Sequence, residues 1–223
     1  MEKSWISRLD SIPVGLYEKA LPKTLSWNER LNLTRSTGFD FLEMSIDDTD
    51  ERLERLNWDR QKRKDLKSLV EGTGIKIQSL SLSAHRRFPL GNNSQETTER
   101  ALDIFKKTID LAVELGIRYI LVGGAEDYYQ EVDQSTLDRF LENLGKGFEW
   151  ASAAGIMLAL ENWDIQINTI LFKQINQFRC CIFCFNMCHY QAAALRFTLS
   201  HVAESGKYRD FIGQSFCHGI SFN

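Results

Sequence analysis

Residues 156–164 read IMLALENWD, and this stretch decides the fold. An apolar run follows Gly155 and ends abruptly on Glu161, Asn162 and Asp164. The pattern is typical of a buried parallel strand in a βα protein, in which strands carry polar residues to the edge where ligands bind. We therefore predict that Glu161 ends a strand and takes part in the chemistry of the protein.

Three earlier stretches share this local pattern of a glycine, then Phe or Ile, then a strand-like run. They begin at Gly38 (GFDFLEMS), Gly74 (GIKIQSLS) and Gly116 (GIRYILVG), so the spacings up to Gly155 are 36, 42 and 39 residues. Glycine tolerates the left-handed conformation that ends a helix, so each glycine marks a helix end followed by a strand. The spacing is that of one βα unit, repeated in architecture rather than in sequence.

Helix starts lie between these strands and support the same arrangement. The predicted N-terminal caps are Ser26 (with Glu29), Asp59, Asn93 (with Glu96) and Ser135 (with Asp138). With an opening strand near residues 12–17, the pattern predicts five strands and four intervening helices up to Glu161. Right-handed crossovers would make all five strands parallel, with their carboxyl ends on one side.

The fold class follows from the repetition and from what is missing. No glycine-rich dinucleotide turn occurs, and Gly123–Gly124 lacks the spacing of a phosphate-binding loop. An α/β protein with a (β/α)8 TIM barrel is therefore favoured over a doubly wound sheet. Five units do not close such a barrel, and the last three would need roughly another hundred residues. We expect an incomplete barrel followed by a tail of different character.

Composition indicates an ordinary globular protein. The chain has 223 residues, of which 43% are apolar and 26% charged, and its net charge of −3 gives no reason to expect nucleic acid or an anionic membrane as partner. The N-terminus has no apolar signal region, and no stretch approaches the roughly 18–20 apolar residues of a membrane span. We expect a cytoplasmic protein.

The composition changes after about residue 170. All five cysteines lie beyond that point, whereas 28 of the 30 acidic residues precede residue 171. Cys181-x-x-Cys184 and Cys188-His189 resemble parts of a zinc site, but no second ligand pair with suitable spacing follows. We predict a partial barrel domain over residues 1–170, and we interpret residues 171–223 as an aberrant Cys/Phe-rich tail rather than a domain.

Polar residues are predicted to lie where the strands end. They are Tyr17, Glu18 and Lys19, Glu43, Ser83 with the basic turn His85–Arg86–Arg87, Glu126 and Asp127, and Glu161. Surface charge at the start of a loop is common, so a solvated turn is the alternative for most of them. Glu43 and Glu161 differ because each ends an apolar run, where a desolvated carboxylate needs a metal, a cation or hydrogen-bond donors. The basic turn would suit an anion such as a sugar phosphate.

Four blocks of sequence resemble one known family. They are LYEKALP (16–22), GFDFLEMSIDDTDERLERLNW (38–58), SLSAHRRFPLG (81–91) and LALENWD (158–164). The chain resembles the bacterial L-ribulose-5-phosphate (L-xylulose-5-phosphate) 3-epimerases of pentose and ascorbate catabolism, which are xylose-isomerase-like TIM barrels. The resemblance covers about residues 12–170.

This resemblance implies a metal-dependent isomerase. Family members hold one divalent ion (Zn, Mn or Mg) with Glu, Asp, His and Glu, and Glu161 matches the first of these. The metal would bind the C2 and C3 oxygens of the ketose, and two glutamates, Glu161 among them, would exchange the C3 proton through an enediolate. Tyr17, Glu18, Glu43, His85 and Arg86 match blocks near the sugar and phosphate, which implies substrate binding.

The later family motifs are not recognisable after Ile170. A truncated or frame-shifted gene would explain the lost similarity, the changed composition and the missing length together. The alternatives to an epimerase are thus an inactive truncated relative or a hexulose-6-phosphate isomerase of the same barrel class. The expected partner is a small sugar phosphate, and a homodimer is compatible with the sequence.

Overall fold

A computed structural model describes residues 13–123 and 133–161, with Glu161 described by its backbone alone. The strands are β1 (Gly15–Tyr17), β2 (Phe41–Ile46), β3 (Lys76–Leu82), β4 (Tyr119–Gly123) and β5 (Met157–Glu161). The helices are α1 (Trp27–Ser36), α2 (Asp50–Leu53), α3 (Arg60–Thr73), α4 (Gln95–Leu115) and α5 (Gln134–Ala153). Short 3-10 turns occupy Glu18–Ala20, Glu54–Asn57 and Ala84–Arg86.

The five strands form one parallel sheet in the order β1-β2-β3-β4-β5. Each strand therefore pairs with the strand that precedes it in sequence, without the reversal of order that defines a doubly wound sheet. This order is that of a TIM barrel, and it confirms the predicted fold class for the described residues. The boundary at residue 170 and the tail 171–223 lie outside the described residues and stay a prediction.

Four glycines end the connecting helices as predicted. Gly38, Gly74, Gly116 and Gly155 all have positive φ values, between 72° and 81°. Gly74 and Gly116 directly follow α3 and α4. Gly38 and Gly155 follow the C-cap residues of α1 and α5. The left-handed backbone turns the chain back towards the sheet within a few residues.

The predicted helix starts are confirmed for α1 and α3 only. Ser26 forms the full capping box with Glu29, and Asp59 accepts a hydrogen bond from the Lys62 amide. The cap of α4 is Ser94 rather than Asn93, and that of α5 is Asp133 rather than Ser135. At α5 the carboxylate of Asp133 accepts bonds from the Thr136 amide and from two hydroxyls, so it is the stronger cap.

One face of the sheet is aliphatic and packs against the helices. Leu42, Met44 and Ile46 of β2 are fully buried, and they join a core that includes Phe105 of α4 and Phe140 of α5. Sequential parallel strands joined by right-handed crossovers carry their helices on a single face, which explains why alternate strand residues are aliphatic. None of the helices within residues 13–123 and 133–161 is long and apolar enough to cross a membrane.

On β1, β2 and β3 the opposite face of the sheet is polar. We call Tyr17, Glu43, Ser45, Ser79 and Ser81 the polar sheet face; in register, Tyr17 pairs with Glu43, Glu43 with Ser79, and Ser45 with Ser81. Barrels of this class usually fill their interior with bulky branched residues. On these three strands, small hydroxyl residues and one carboxylate make the interior side of the sheet hydrophilic.

Candidate functional site

The carboxyl ends of the strands carry most of the residues predicted to form a site. Tyr17 is the last residue of β1, and the His85–Arg86 turn follows β3 directly. Glu161 is the last residue of β5, where it pairs with Gly123 of β4. The prediction that Glu161 ends a strand is therefore confirmed, while its chemical role stays a prediction.

Glu43 lies elsewhere than the sequence suggested. It is the third of six residues in β2, which continues to Ile46, so the prediction that it ends its strand is wrong. The error arose because Glu43 and Ser45 interrupt the apolar run. Both belong to the polar sheet face, whereas Met44 and Ile46 continue the aliphatic face. Alternation with a period of two residues is the signal that identifies the longer strand.

Barrel geometry places Tyr17 and Glu161 at the same height. In an eight-stranded barrel with a shear of 8, a layer perpendicular to the axis advances about one residue along the chain for each strand crossed. The hydrogen-bonded row that begins at Tyr17 reaches β5 at Met157, and four residues further along is Glu161. On β3 the equivalent step reaches Ser81. In an ideal barrel of this geometry, Tyr17, Ser81 and Glu161, from alternate strands, would therefore share one layer; the row includes the register shift between Leu42 and Glu43.

Hydrogen bonds join the side chains of the polar sheet face. The Tyr17 hydroxyl lies 3.4 Å from Ser45 Oγ, and Ser79 Oγ donates to Glu43 Oε2 over 2.7 Å. Both contacts link neighbouring strands on the interior side of the sheet. The arrangement offers hydroxyl and carboxylate groups to a hydroxylated ligand, and it fixes the ring of Tyr17 next to β2.

Glu18 is buried and surrounded by arginines. Its side chain is wholly buried, and its carboxylate accepts bonds from Arg30, from Arg55 (2.7 Å to each oxygen) and from the Ser45 amide (2.9 Å). Arg52 lies 3.9 Å from the same carboxylate. We call Glu18, Arg30, Arg52 and Arg55 the Glu18 cluster. It joins the end of β1 to α1, to β2 and to the segment that follows β2.

The cluster keeps Glu18 ionised. Burial opposes ionisation, but the hydrogen bond and charge of Arg55, the Ser45 amide and the charge of Arg52 outweigh it, so the pKa of Glu18 lies below its ordinary value. Substrate binding by Glu18 stays a prediction. In the described structure its oxygens are engaged in holding four segments of the chain together.

A second ion pair lies beside the cluster at the ends of β1 and β2. Asp47 accepts bonds from Lys19 (2.8 Å), Arg52 (3.2 Å) and the hydroxyl of Thr49 (2.6 Å). Burial would raise the pKa of Asp47, but the bonds from Lys19 and Thr49 lower it to about 2. The sequence did not predict this pair or the Glu18 cluster. Arg30, Arg52 and Arg55 lie close to apolar helix positions, and this was a usable signal of buried ion pairs.

His85 is held in its turn as a neutral ring. It is 7% exposed, packs edge-on against Phe105 and bonds to the Ala101 carbonyl through Nε2 (3.2 Å). Since a carbonyl oxygen only accepts, Nε2 carries the proton and Nδ1 is an acceptor. Burial lowers the pKa of His85 to about 4, against the opposing effect of the Ala101 bond.

The basic turn does not present three cations to one anion. His85 is buried against α4, and Arg87 extends across the surface to Asp50 (2.7 Å) and to the Asp48 carbonyl (3.1 Å). Arg86 is half-buried in the same turn. In the described structure His85 is therefore held against α4 and Arg87 is paired with Asp50, while anion binding by the turn and substrate contact by His85 and by Arg86 stay predictions.

The described residues do not by themselves make a metal site. No group of three or more His, Cys, Asp or Glu side chains lies together within residues 13–123 and 133–160. Glu126, Asp127 and all five cysteines fall outside the described residues. The ligands expected to join Glu161 at a metal ion stay a prediction.

Known proteins match this chain over most of its length. The model of the family described as xylose isomerase-like TIM barrel matches residues 31–209. L-ribulose-5-phosphate 3-epimerase UlaE of Escherichia coli (strain K12) is 44% identical over 164 residues, which cover 74% of this chain and 58% of that protein. The chain thus spans somewhat more than half the length of the curated relatives that it matches.

Solved structures share the fold at low sequence identity. D-psicose 3-epimerase from Clostridium cellulolyticum H10, solved with D-tagatose, matches with a TM-score of 0.64 and 15% identity over 84% of this chain and 71% of that one. A xylose isomerase-like TIM barrel protein from Mycobacterium smegmatis, solved in complex with magnesium, matches with a TM-score of 0.58 and 15% identity over 80% and 65%. These matches support the barrel architecture.

Proposed function

The chain belongs to the xylose isomerase-like TIM barrel family, and from this premise we propose that it is an isomerase that inverts C3 of a ketose phosphate. The proposed reaction interconverts L-ribulose 5-phosphate and L-xylulose 5-phosphate. The observation that carries the proposal is the 44% identity to the L-ribulose-5-phosphate 3-epimerase UlaE over 164 residues. The placement of Glu161 at a strand end, in the layer of Tyr17 and Ser81, supports it.

The chemistry requires acid and base groups on both faces of the substrate. The C3 proton is adjacent to the C2 carbonyl, so its removal leaves an enediolate, and return of a proton to the opposite face inverts the carbon. We assign Glu161 as one member of the acid–base pair. Tyr17 and Glu43 would bind substrate hydroxyls from the polar sheet face.

The proposal includes one divalent metal ion, with Glu161 as a ligand and the remaining ligands outside the described residues. When bound, such an ion would stabilise negative charge on the substrate oxygens. Proton transfer at C3 and the binding of substrate hydroxyls are the roles of the chain's own residues.

The decisive experiment follows the C3 proton. We expect the purified chain, incubated with L-ribulose 5-phosphate in D2O, to form L-xylulose 5-phosphate and to introduce deuterium at C3, as observed by NMR. Glu161→Gln should abolish both signals because the amide cannot accept the proton. Glu149→Gln, on the exposed face of α5, is the matched control and should keep wild-type rates.

The other outcomes separate the alternatives. Turnover of a hexulose 6-phosphate to an aldose, with none of the pentulose, would replace the proposal with a hexulose-phosphate isomerase. Folded protein with no turnover and no deuterium exchange on either substrate would indicate an inactive relative. Unchanged activity in Glu161→Gln would remove Glu161 from the acid–base pair.

A further inference from the structure

Ser83 carries a buried hydroxyl that the fold does not use. Its backbone N–H donates to the Ile46 carbonyl (2.9 Å), which extends the contact between β2 and β3 beyond the last paired strand residues. Its Oγ is buried and has no hydrogen-bond partner in the described part of the chain. Buried hydroxyls are normally bonded, so this one calls for an explanation.

The position of Ser83 is that of a ligand contact. It follows Ser81 by two residues, and Ser81 shares its barrel layer with Tyr17 and Glu161. Ser83 therefore lies one level above that layer, at the carboxyl edge of the sheet, where the active sites of these barrels are found. Ser79, Ser81 and Ser83 alternate with Leu80 and Leu82 in sequence, and Ser83 is the first residue after the end of β3.

The hydroxyl of Ser83 is available at little cost. The residue as a whole is half-buried, so rotation about χ1 can turn Oγ towards a ligand on its accessible side. No hydrogen bond within the described residues is broken by this rotation. A ligand that forms a hydrogen bond with the hydroxyl also removes the free-energy cost of leaving this buried group without a partner.

We propose that Ser83 binds a hydroxyl group on the carbon chain of the substrate. The proposal rests on the ketose-phosphate function above and adds to it a residue that determines substrate preference. The neutral hydroxyl end of the substrate fits better than the phosphoryl end, because a serine hydroxyl donates and accepts single hydrogen bonds, whereas phosphoryl groups are usually bound by cationic side chains.

A buried ring nitrogen of His85, in the turn that follows Ser83, has a different explanation. His85 Nδ1 also lacks a partner within the described residues. Its ring, however, packs against Phe105 and bonds to Ala101 of α4, so it belongs to the contact between the turn and the helix layer. The site that we propose consists of Ser83 alone.

Titration calorimetry on the full chain tests the assignment. The probes are L-ribulose 5-phosphate and inorganic phosphate, and the proteins are wild type, Ser83→Ala and the control Ser68→Ala, which alters a serine on the exposed face of α3. We expect Ser83→Ala to weaken binding of the sugar phosphate roughly tenfold and to leave binding of inorganic phosphate unchanged. Its melting temperature should equal or exceed that of wild type, because the removed hydroxyl has no partner in the fold.

Each other result overturns a defined part of the proposal. Wild-type affinity of Ser83→Ala for the sugar phosphate would remove Ser83 from the site. A melting temperature several degrees lower would show that the hydroxyl serves the fold instead. Equal weakening for both probes would assign Ser83 to the phosphoryl group. Failure of folded wild-type chain to bind L-ribulose 5-phosphate would overturn the proposed function, and the assignment of Ser83 with it.

Discussion

At the scale of single residues, Glu18 has the largest structural effect among the residues first associated with substrate. Its carboxylate lies among Arg30, Arg52 and Arg55, and Arg30 and Arg55 also stack near the ring of Trp27 (5.3 and 5.0 Å from its centroid). Removing one partner of a buried ion pair leaves uncompensated charge in a poorly solvated place. The cluster is therefore a strong determinant of stability even though exposed ion pairs are not.

We expect Glu18→Gln to lower the free energy of unfolding by about 3–5 kcal/mol, because the buried arginines lose their counter-charge. Urea denaturation followed by circular dichroism measures the change. Asp103→Asn is the control: Asp103 pairs with Arg100 and Lys107 on the exposed face of α4, so its loss should cost under about 1 kcal/mol. Equal effects of the two substitutions would contradict the assigned role of the cluster.

His85 should make stability depend on pH. Its pKa is about 4 in the folded protein and 6.5 ordinarily, so between these values the unfolded chain binds the proton first. The contribution of neutral His85 to the free energy of unfolding is complete above pH 6.5. It is lost as the pH falls towards 4, which lowers that free energy by up to about 3 kcal/mol. Urea denaturation at pH 7.0, 5.5 and 4.5 should show this decline in wild type and a shallower one in His85→Asn. Parallel declines in the two proteins would show that His85 is not the titrating group.

At the scale of helices and strands, close packing of α4 against α5 depends on one glycine. A Cβ atom built at Gly147 of α5 would come far inside van der Waals distance of the Phe105 ring of α4. A Cβ atom built at Gly72 of α3, in contrast, would lie in open space. The two glycines therefore have opposite expected responses to an added methyl group.

We expect Gly147→Ala to destabilise the protein by about 1–3 kcal/mol through overpacking. Gly72→Ala should be neutral or stabilising by up to about 1 kcal/mol, because alanine favours the helix and lowers the entropy of the unfolded chain. Thermal unfolding of the two variants beside wild type gives the sign of each change. A stabilised Gly147→Ala variant would mean that the two helices do not pack as described.

Local signals predicted most of these elements, and their failures have physical causes. The four glycines at helix ends and the capping box at Ser26 depend on residues adjacent in sequence, so the sequence reveals them. The cap of α5 was misplaced because Asp133 and Ser135 are both good capping residues, and only the three-dimensional bonds select Asp133. Helix starts with two capping candidates within a few residues cannot be distinguished by composition alone.

At the scale of the whole molecule, the order of strands was predictable but the environment of site residues was not. Repeated glycine-to-strand spacing predicted the sequential parallel sheet. The partners of Glu18 lie 12 to 37 residues away in sequence, so its burial among arginines could not be read from neighbouring residues. Glu43 was predicted to end its strand because polar residues on the interior face interrupt the apolar run, and such an interruption resembles the end of a strand.

The sheet should exchange its amide hydrogens unevenly. β3 is paired on both sides, with β2 and with β4, whereas within the described residues β1 pairs with β2 alone. We expect the amides of Leu80 and Leu82 to exchange at least tenfold more slowly than those of Leu16 and Tyr17, because local opening is easiest at an edge. Hydrogen exchange measured by NMR tests this. Equal protection of β1 and β3 would indicate that another segment covers β1.

The sequential order of strands also affects how the protein can be synthesised. Within the described sheet, each new strand pairs with the strand that precedes it in sequence, so its partner has already been synthesised. The nascent chain can therefore build its sheet one unit at a time in the direction of translation, with the finished part as a template for the next strand.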